Sequence, residues 1–334
     1  MAGRDGKGAK GLTMNIGKSI GLKEGAATRD AFGEALRDLG HTDTNIVVVD
    51  GDVGNSTRTE FFGKEFPDRF FNVGIAESNL VSVASGLAAA GKDALAASFA
   101  VFLLCNAYDQ IRMGIAFPNL NVKLVGSHSG ISIGEDGPSQ MGIEDIALAT
   151  SFPNFTVLVP ADAPSTQAAT RAMFQHIGPV YLRTGRPKTP LIYTDGMPFE
   201  IGKANQLRNG KDVTIIACGL MVAAALEAAQ ALSQQGIEAR VLDMHTIKPL
   251  DEAAVEQAAR ETGAIVTAEE HLLEGGLGAA VARVVAERQP APNQFVGIRD
   301  RYAESGDADQ LLEKYGLTAQ DIVKAVQSVV ARKA

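Results

Sequence analysis

Tryptophan is absent from this 334-residue chain, aromatic residues make up 6% of it, and there are two cysteines. Cys105 and Cys218 are far apart and belong to no CxxC, so they form neither a disulfide framework nor a thiolate metal site. Each lies in an apolar or helix-like run and reads as a small buried hydrophobe. Long apolar runs are missing too. None approaches the ~18 residues that suggest a membrane span. The start of the chain is rich in Gly and Lys without an apolar centre and does not read as a secretory signal peptide. A cytoplasmic location is the expectation. Basic clusters are also lacking. Lys and Arg number 31 against 39 Asp and Glu, a net charge of -8, which argues against nonspecific nucleic-acid binding.

What is present is ordinary for a globular protein, with 46% hydrophobic and 21% charged residues. The length exceeds a typical domain of ~100–200 residues, so two domains are expected. Residues 1–24 are glycine-rich and read as a mobile or partner-covered tail. An α/β alternation follows. Residues 28–39 have helical periodicity, and 46–49 form a wholly apolar run of β-branched residues, as in a buried parallel strand. Helices are expected at 80–90, 106–116 and 164–175, and strands at 94–98, 121–126, 156–159 and 180–182. The stretch 187–198 carries Pro187, Pro190 and Pro198 and little periodicity, which places a domain boundary at 190/191. Beyond it strands are expected at 213–217, 238–242, 264–268 and 295–298, and helices at 221–234, 251–261, 277–287 and 319–330. The fold class is α/β, with two doubly wound, mainly parallel-sheet domains at 25–190 and 191–334.

Three segments carry chemistry. Residues 126–140 follow a predicted strand and pack His128, Asp136 and Gln140 among glycines and serines. Open parallel sheets bind ligands beyond their C-terminal strand ends, so this loop is a candidate site, although a polar surface loop would also read this way. In Val73-Gly74-Ile75-Ala76-Glu77, the acid opens an apolar helix. Taken alone it would be a dipole partner. Between an apolar strand and an apolar helix it should be buried, and a buried Glu needs a partner such as a ring nitrogen. Phe99 and Phe102 lie three apart after a strand, where they could stack on a flat heterocycle or simply fill the core. Two further stretches attract attention for weaker reasons. Asp50-Gly51-Asp52-Val53-Gly54-Asn55 reads as a strand-end turn rather than a metal loop. Glu274-Gly275-Gly276-Leu277-Gly278 opens a helix and could bind an anion. It lacks an adjacent Lys/Ser/Thr signature, and tight helix–sheet or subunit packing is the plainer reading.

Taken together, these segments resemble transketolase over roughly residues 26–334. Ala27-Thr28-Arg29, Asn55-Ser56-Thr57, Ile75-Ala76-Glu77 and the 134–140 loop fall in the family's order. Arg183-Thr184-Gly185-Arg186-Pro187, Thr246-Ile247-Lys248-Pro249-Leu250-Asp251 and the 274–278 glycines follow them in that order. The loop Gly-Glu-Asp-Gly-Pro-Ser-Gln looks like that of the animal-type enzymes, with Gln140 where yeast and most bacterial ones carry His.

The resemblance implies a pyrimidine-binding domain followed by a transketolase C-terminal domain. It also implies thiamine diphosphate as cofactor and transfer of a two-carbon ketol unit from a ketose phosphate to an aldose phosphate. On it, Glu77 would hydrogen-bond the aminopyrimidine, Phe102 would stack on it with Phe99 beside it, and Gln140 and His128 would join Glu77 as catalytic residues. Arg29, Ser56, His128 and Arg186 would hold the substrate phosphate, and Asp136 would read a substrate hydroxyl. Full-length transketolases begin with a further domain that binds the diphosphate through Mg²⁺. Nothing of that kind precedes Ala26, so an N-terminal partner subunit holding Mg²⁺, in an α2β2 assembly, is expected, and this chain itself should bind no metal. The β subunit of a 2-oxoacid dehydrogenase E1 and deoxyxylulose-phosphate synthase are the neighbouring alternatives, and a noncatalytic ligand-binding subunit is a third.

Overall fold

The run Ile46–Asp50 is buried along its whole length, as a strand covered on both faces must be. In the computed structural model, which describes residues 14–333, the strands in chain order are as follows. The first half holds β1 Glu24–Ala27, β2 Ile46–Asp50, β3 Phe70–Asn72, β4 Asp93–Phe99, β5 Val122–Ser127, β6 Thr156–Leu158, β7 Val180–Arg183 and β8 Lys188–Pro190. The second half holds β9 Asn205–Arg208, β10 Val213–Ala217, β11 Ala239–Asp243, β12 Thr246–Lys248, β13 Ile265–Leu272 and β14 Asn293–Ile298.

One sheet has the order β12-β6-β7-β5-β4-β2-β3. Its strands from β2 to β7 are all parallel, and β12 is antiparallel at one edge. A second sheet has the order β14-β13-β10-β11-β9. Only its edge strand β9 runs antiparallel. The expected pair of mainly parallel α/β sheets is therefore present. The strand β12 lies beyond the 190/191 boundary yet pairs with the first sheet, so the halves share an edge. They also share core: Leu124, Phe152 and Phe155 lie in one apolar cluster with Leu242, Met244 and Leu277. The connecting segment is fastened to both halves at Ile192 and Tyr193. Asp162, the N-cap of helix Ala163–Gln175, accepts the peptide N–H of Ile192 and Tyr193. The Tyr193 hydroxyl donates to buried Asp243 at 2.7 Å.

Three expectations are corrected. The helix placed at 106–116 begins earlier. Ala100–Asn106 is helical directly after β4, followed by a break and a widened turn at Arg112–Ala116. The apolar run 100–104 forms that helix because Ala100, Leu103 and Leu104 bury one face of it. Cys105, one position further round, is consequently exposed rather than buried, whereas Cys218 is buried as expected. Of the expected mobile tail, residues 1–13 lie outside the described residues. Residues 14–19 are seated on the second half: Met14 enters its core, Asn15 bonds Asp309, and Gly17 and Ser19 donate to Glu227. Among the described residues no helix is long and apolar enough to cross a membrane.

Candidate active site

The C-terminal ends of β2, β3, β4, β5 and β7 lead directly into the segments that carry the candidate residues. Glu77 is the first residue of helix Glu77–Ala89, after β3, and is 7% exposed. Its carboxylate accepts the Ser98 hydroxyl at 3.2 Å and the Asn106 amide at 3.4 Å. Both partners are neutral, so the carboxylate is held without a counter-cation and keeps acceptor capacity for a ligand donor. Ser98 and Asn106 had not been singled out. Asn106 lies four residues after Phe102 on one helix, a spacing that puts both on one face. Ser98 has no sequence signal beyond its place at a strand end.

The next residue of β4, Phe99, stacks on the His128 imidazole with centroids 3.9 Å apart and planes 9° apart. Its ring is nearly parallel to that of Phe102, at 5.9 Å. His128 is 2% exposed and sits in left-handed backbone at φ 57. Its Nε2 lies 3.4 Å from Arg29 Nη1. A guanidinium cannot accept, so Nε2 is the acceptor and the ring proton sits on Nδ1. From there it is donated to Ser127 Oγ at 2.9 Å. Burial, followed by the fields of Arg29, Arg186 and Arg58, pushes the His128 pKa down to about 3. The imidazole is therefore neutral across the physiological range.

Arg29 is the second residue of helix Thr28–Thr42. Burial and the neighbouring Arg58 lower its pKa to about 10, and its Nε is buried without a hydrogen-bond partner. Its Nη1 reaches the Ser56 carbonyl at 3.1 Å, so Ser56 meets Arg29 through its backbone. Arg58 had not been foreseen. It has φ 69, pairs with Asp30 at 2.5 Å, and fits only because Gly33 opposite has no side chain: a Cβ there would lie 2.5 Å from that of Arg58. Arg186 pairs with Asp136 at 2.8 Å and also donates to the Ile133 carbonyl. Gln140 is half-buried and accepts the Ser139 hydroxyl at 2.6 Å. The result is an excess of guanidinium around a neutral imidazole, which is an electrostatic seat for an anion.

The two weaker stretches prove structural. Asp50 spends its buried carboxylate on Val53 N–H and the hydroxyls of Thr57 and Thr59, as befits a strand-end turn. In the second stretch the glycines admit a carboxylate from within the protein. Buried Glu269 accepts the Leu277 and Gly278 peptide N–H at 2.7 and 2.8 Å, capping helix Leu277–Arg288. A Cβ on Gly276 would lie 2.1 Å from that carboxylate. Gly276→Ala should therefore cost about 2–3 kcal/mol in urea unfolding, by forcing a buried carboxyl group off its donors. A loss below about 0.5 kcal/mol would show that the cap can move freely.

Residues 24–191 match the family model for the transketolase pyrimidine-binding domain, and residues 202–322 match the model for the transketolase C-terminal domain. This chain belongs to the transketolase family. It is 43% identical to the 6-deoxy-6-sulfo-D-fructose transketolase subunit SqwH of Clostridium sp. (strain MSTE9), over 91% of this chain and 95% of that protein. It is 41% identical to human transketolase over 92% of its own length but 49% of the human chain, so it spans about half of that single-chain enzyme. A solved structure described as "Split gene transketolase, inactive beta4 tetramer" superposes with a TM-score of 0.87 at 48% identity, covering 93% of this chain and 100% of that one. The chain thus corresponds to the C-terminal section of transketolase, a family of transferases that depend on thiamine diphosphate. The residues present suit that cofactor's aminopyrimidine: Glu77 offers a buried carboxylate edge, and Phe102 a partly exposed aromatic face nearby. Among the described residues no group of three or more His, Cys, Asp or Glu could hold a metal ion.

Proposed function

We propose that this chain is the C-terminal subunit of a split transketolase, with a pyrimidine-binding domain at 25–190 and a C-terminal domain at 191–334. It works with an N-terminal subunit that holds the cofactor's diphosphate and Mg²⁺, in an α2β2 assembly in the cytoplasm. The reaction is transfer of a two-carbon ketol unit from a ketose phosphate to an aldose phosphate. The observation that carries this reading is the continuity of the site through β4. Ser98 bonds the Glu77 carboxylate, and the adjacent Phe99 stacks on His128, which in turn takes a hydrogen bond from Arg29. A cofactor-directed carboxylate and an anion seat are thereby fixed relative to one another by two consecutive residues.

When bound, thiamine diphosphate supplies the carbanion chemistry that cleaves and reforms the bond beside the ketose carbonyl. Glu77 would hydrogen-bond the aminopyrimidine and hold the proton shared with its ring nitrogen. Phe102 supports the ring face, with Phe99 beside it. Arg29, Arg186 and the neutral His128, with Ser56 nearby, receive the substrate phosphate, and Asp136 and Gln140 face substrate hydroxyls. Arginine suits this seat because its planar fork donates two hydrogen bonds to phosphate oxygens.

A ketol-transfer assay with xylulose 5-phosphate, ribose 5-phosphate, thiamine diphosphate and Mg²⁺ tests the reading. The chain alone should be inactive and the co-expressed pair active. An inactive pair would overturn the substrate assignment. Within the active pair, Arg186→Ala should raise KM for phosphorylated donors about tenfold and leave hydroxypyruvate turnover nearly unchanged, as loss of uniform phosphate binding requires. Equal losses with both donors would remove Arg186 from the phosphate seat.

A further inference from the structure

We propose that Glu270, contributed by the C-terminal domain, is a positioning residue for His128: its carboxylate anchors the loop that carries the imidazole. The inference deepens the functional reading above and rests on it for the catalytic consequence.

Glu270 lies on β13 and is 5% exposed. Its Oε1 accepts the Ser132 peptide N–H at 2.6 Å. The Ile131 N–H and the Ser132 hydroxyl also bond this carboxylate. Positive φ at His128 and Gly130 turns this stretch into a concave arrangement of peptide donors, the kind of nest that ordinarily receives an anion. Here the anion is a side chain from the other half of the protein. The approach is close enough to dictate the loop sequence. A Cβ on Gly130 would lie 2.2 Å from the Glu270 carboxyl carbon, so only glycine lets the nest close.

The same loop is pinned from below by one cation. Arg183 Nη2 donates to the Gly142 carbonyl at 2.9 Å and to the Glu270 carbonyl at 3.0 Å. Gly130 N–H donates to Gly142 at 2.7 Å, and Ser129 N–H to Thr184 at 3.3 Å. The His128 imidazole is held toward the site by the 3.4 Å contact to Arg29, the Ser127 hydroxyl and its stack on Phe99, and its carbonyl accepts the Gly142 N–H at 3.5 Å. The side-chain contacts leave the backbone torsion at which it sits to the peptide hydrogen bonds around it. The clasp of Glu270 on residues 131–132 reinforces those bonds, because it closes the turn that follows the imidazole. In this way the C-terminal domain takes part in the phosphate seat without touching substrate.

Two variants separate positioning from bulk stability. Glu270→Gln keeps one oxygen to accept the Ser132 N–H, while Glu270→Ala removes it. In the chain by itself, amides of residues 128–142 should exchange hydrogen about tenfold faster in Glu270→Ala, and near the wild-type rate in Glu270→Gln. In the assembled enzyme, Glu270→Ala should raise KM for the phosphorylated donor about tenfold with kcat changed less than about twofold, and Glu270→Gln should recover most of that loss. Unchanged exchange in Glu270→Ala overturns the clasp. Faster exchange with an unchanged KM overturns the positioning of His128. A KM defect that Glu270→Gln does not recover marks general damage and also overturns it. If the wild-type pair turns over no phosphorylated donor, the functional reading fails, and the exchange comparison alone decides the clasp.

Discussion

Glu77→Ala in the assembled enzyme is expected to lower kcat for ketol transfer at least about a hundredfold, the usual contribution of a positioned proton-transfer group. The melting temperature should move by less than about 3 °C. The two expectations follow from the same geometry. The carboxylate is held by Ser98 and Asn106 rather than by a cation, so its removal strands no buried charge. Its other stabilising contribution is that of an acid in the first turn of helix Glu77–Ala89, about 0.3–1 kcal/mol. Catalysis, by contrast, needs a group that can share a proton with N1′ of the cofactor, and neither neighbour can replace it. Glu77→Gln sharpens the test, because it preserves shape and one acceptor while losing the charge. Turnover near wild type in either variant would remove Glu77 from its assigned place. A large fall in melting temperature would instead reveal that the carboxylate is structural.

How much of this could be read from the sequence depended on whether a residue acts through its neighbours in the chain or across space. The buried run at 46–50 and the helix opening at Thr28 declare themselves by periodicity, and the sheet class follows from their alternation. Glu77 was legible because an acid between two apolar elements is conspicuous. Arg58 was not. Its place depends on a left-handed torsion and on Gly33 in a different helix, which no local pattern reveals. The strand expected to end at 268 runs on to Leu272. The next three residues, Glu269, Glu270 and His271, are charged or polar and were left outside that strand. All three are buried, because each finds peptide donors or acceptors elsewhere: a helix N-terminus, the 131–132 nest, and Ala147 with Leu272. Burying polar groups costs little once they are fully hydrogen-bonded, and that compensation is visible only in three dimensions. The strand β12 is a similar case. It pairs across the boundary that the prolines mark, because the second half packs on the first sheet's edge.

The pair Arg183–Asp145 lies where these elements meet, and breaking it should produce the largest loss of stability. Arg183 donates to Asp145 at 2.8 and 3.1 Å and to the carbonyls of Gly142 and Glu270, while the Tyr181 hydroxyl takes a further place on Asp145. Both partners are buried. Arg183→Met is expected to cost about 3–5 kcal/mol in urea unfolding at pH 8, because it leaves a carboxylate in the interior without its cation. The pH dependence has a definite sign. Burial, the largest influence, would raise the Asp145 pKa, but the charge and hydrogen bonds of Arg183, joined by His271 and the Tyr181 hydroxyl, together hold the carboxyl below its ordinary value. In the wild type this contribution is present above the unfolded-state pKa of about 4 and is lost as pH falls through the lowered folded value. Without Arg183 burial prevails, the folded pKa rises, and the penalty is relieved as pH falls through that raised value. The deficit of Arg183→Met relative to wild type should therefore narrow between pH 8 and pH 5. Adding Asp145→Leu should recover a substantial part of the loss at pH 8, since an apolar pair leaves no orphaned charge. A deficit independent of pH, or a double variant no more stable than the single one, would mean that the guanidinium acts through the two backbone carbonyls rather than through Asp145.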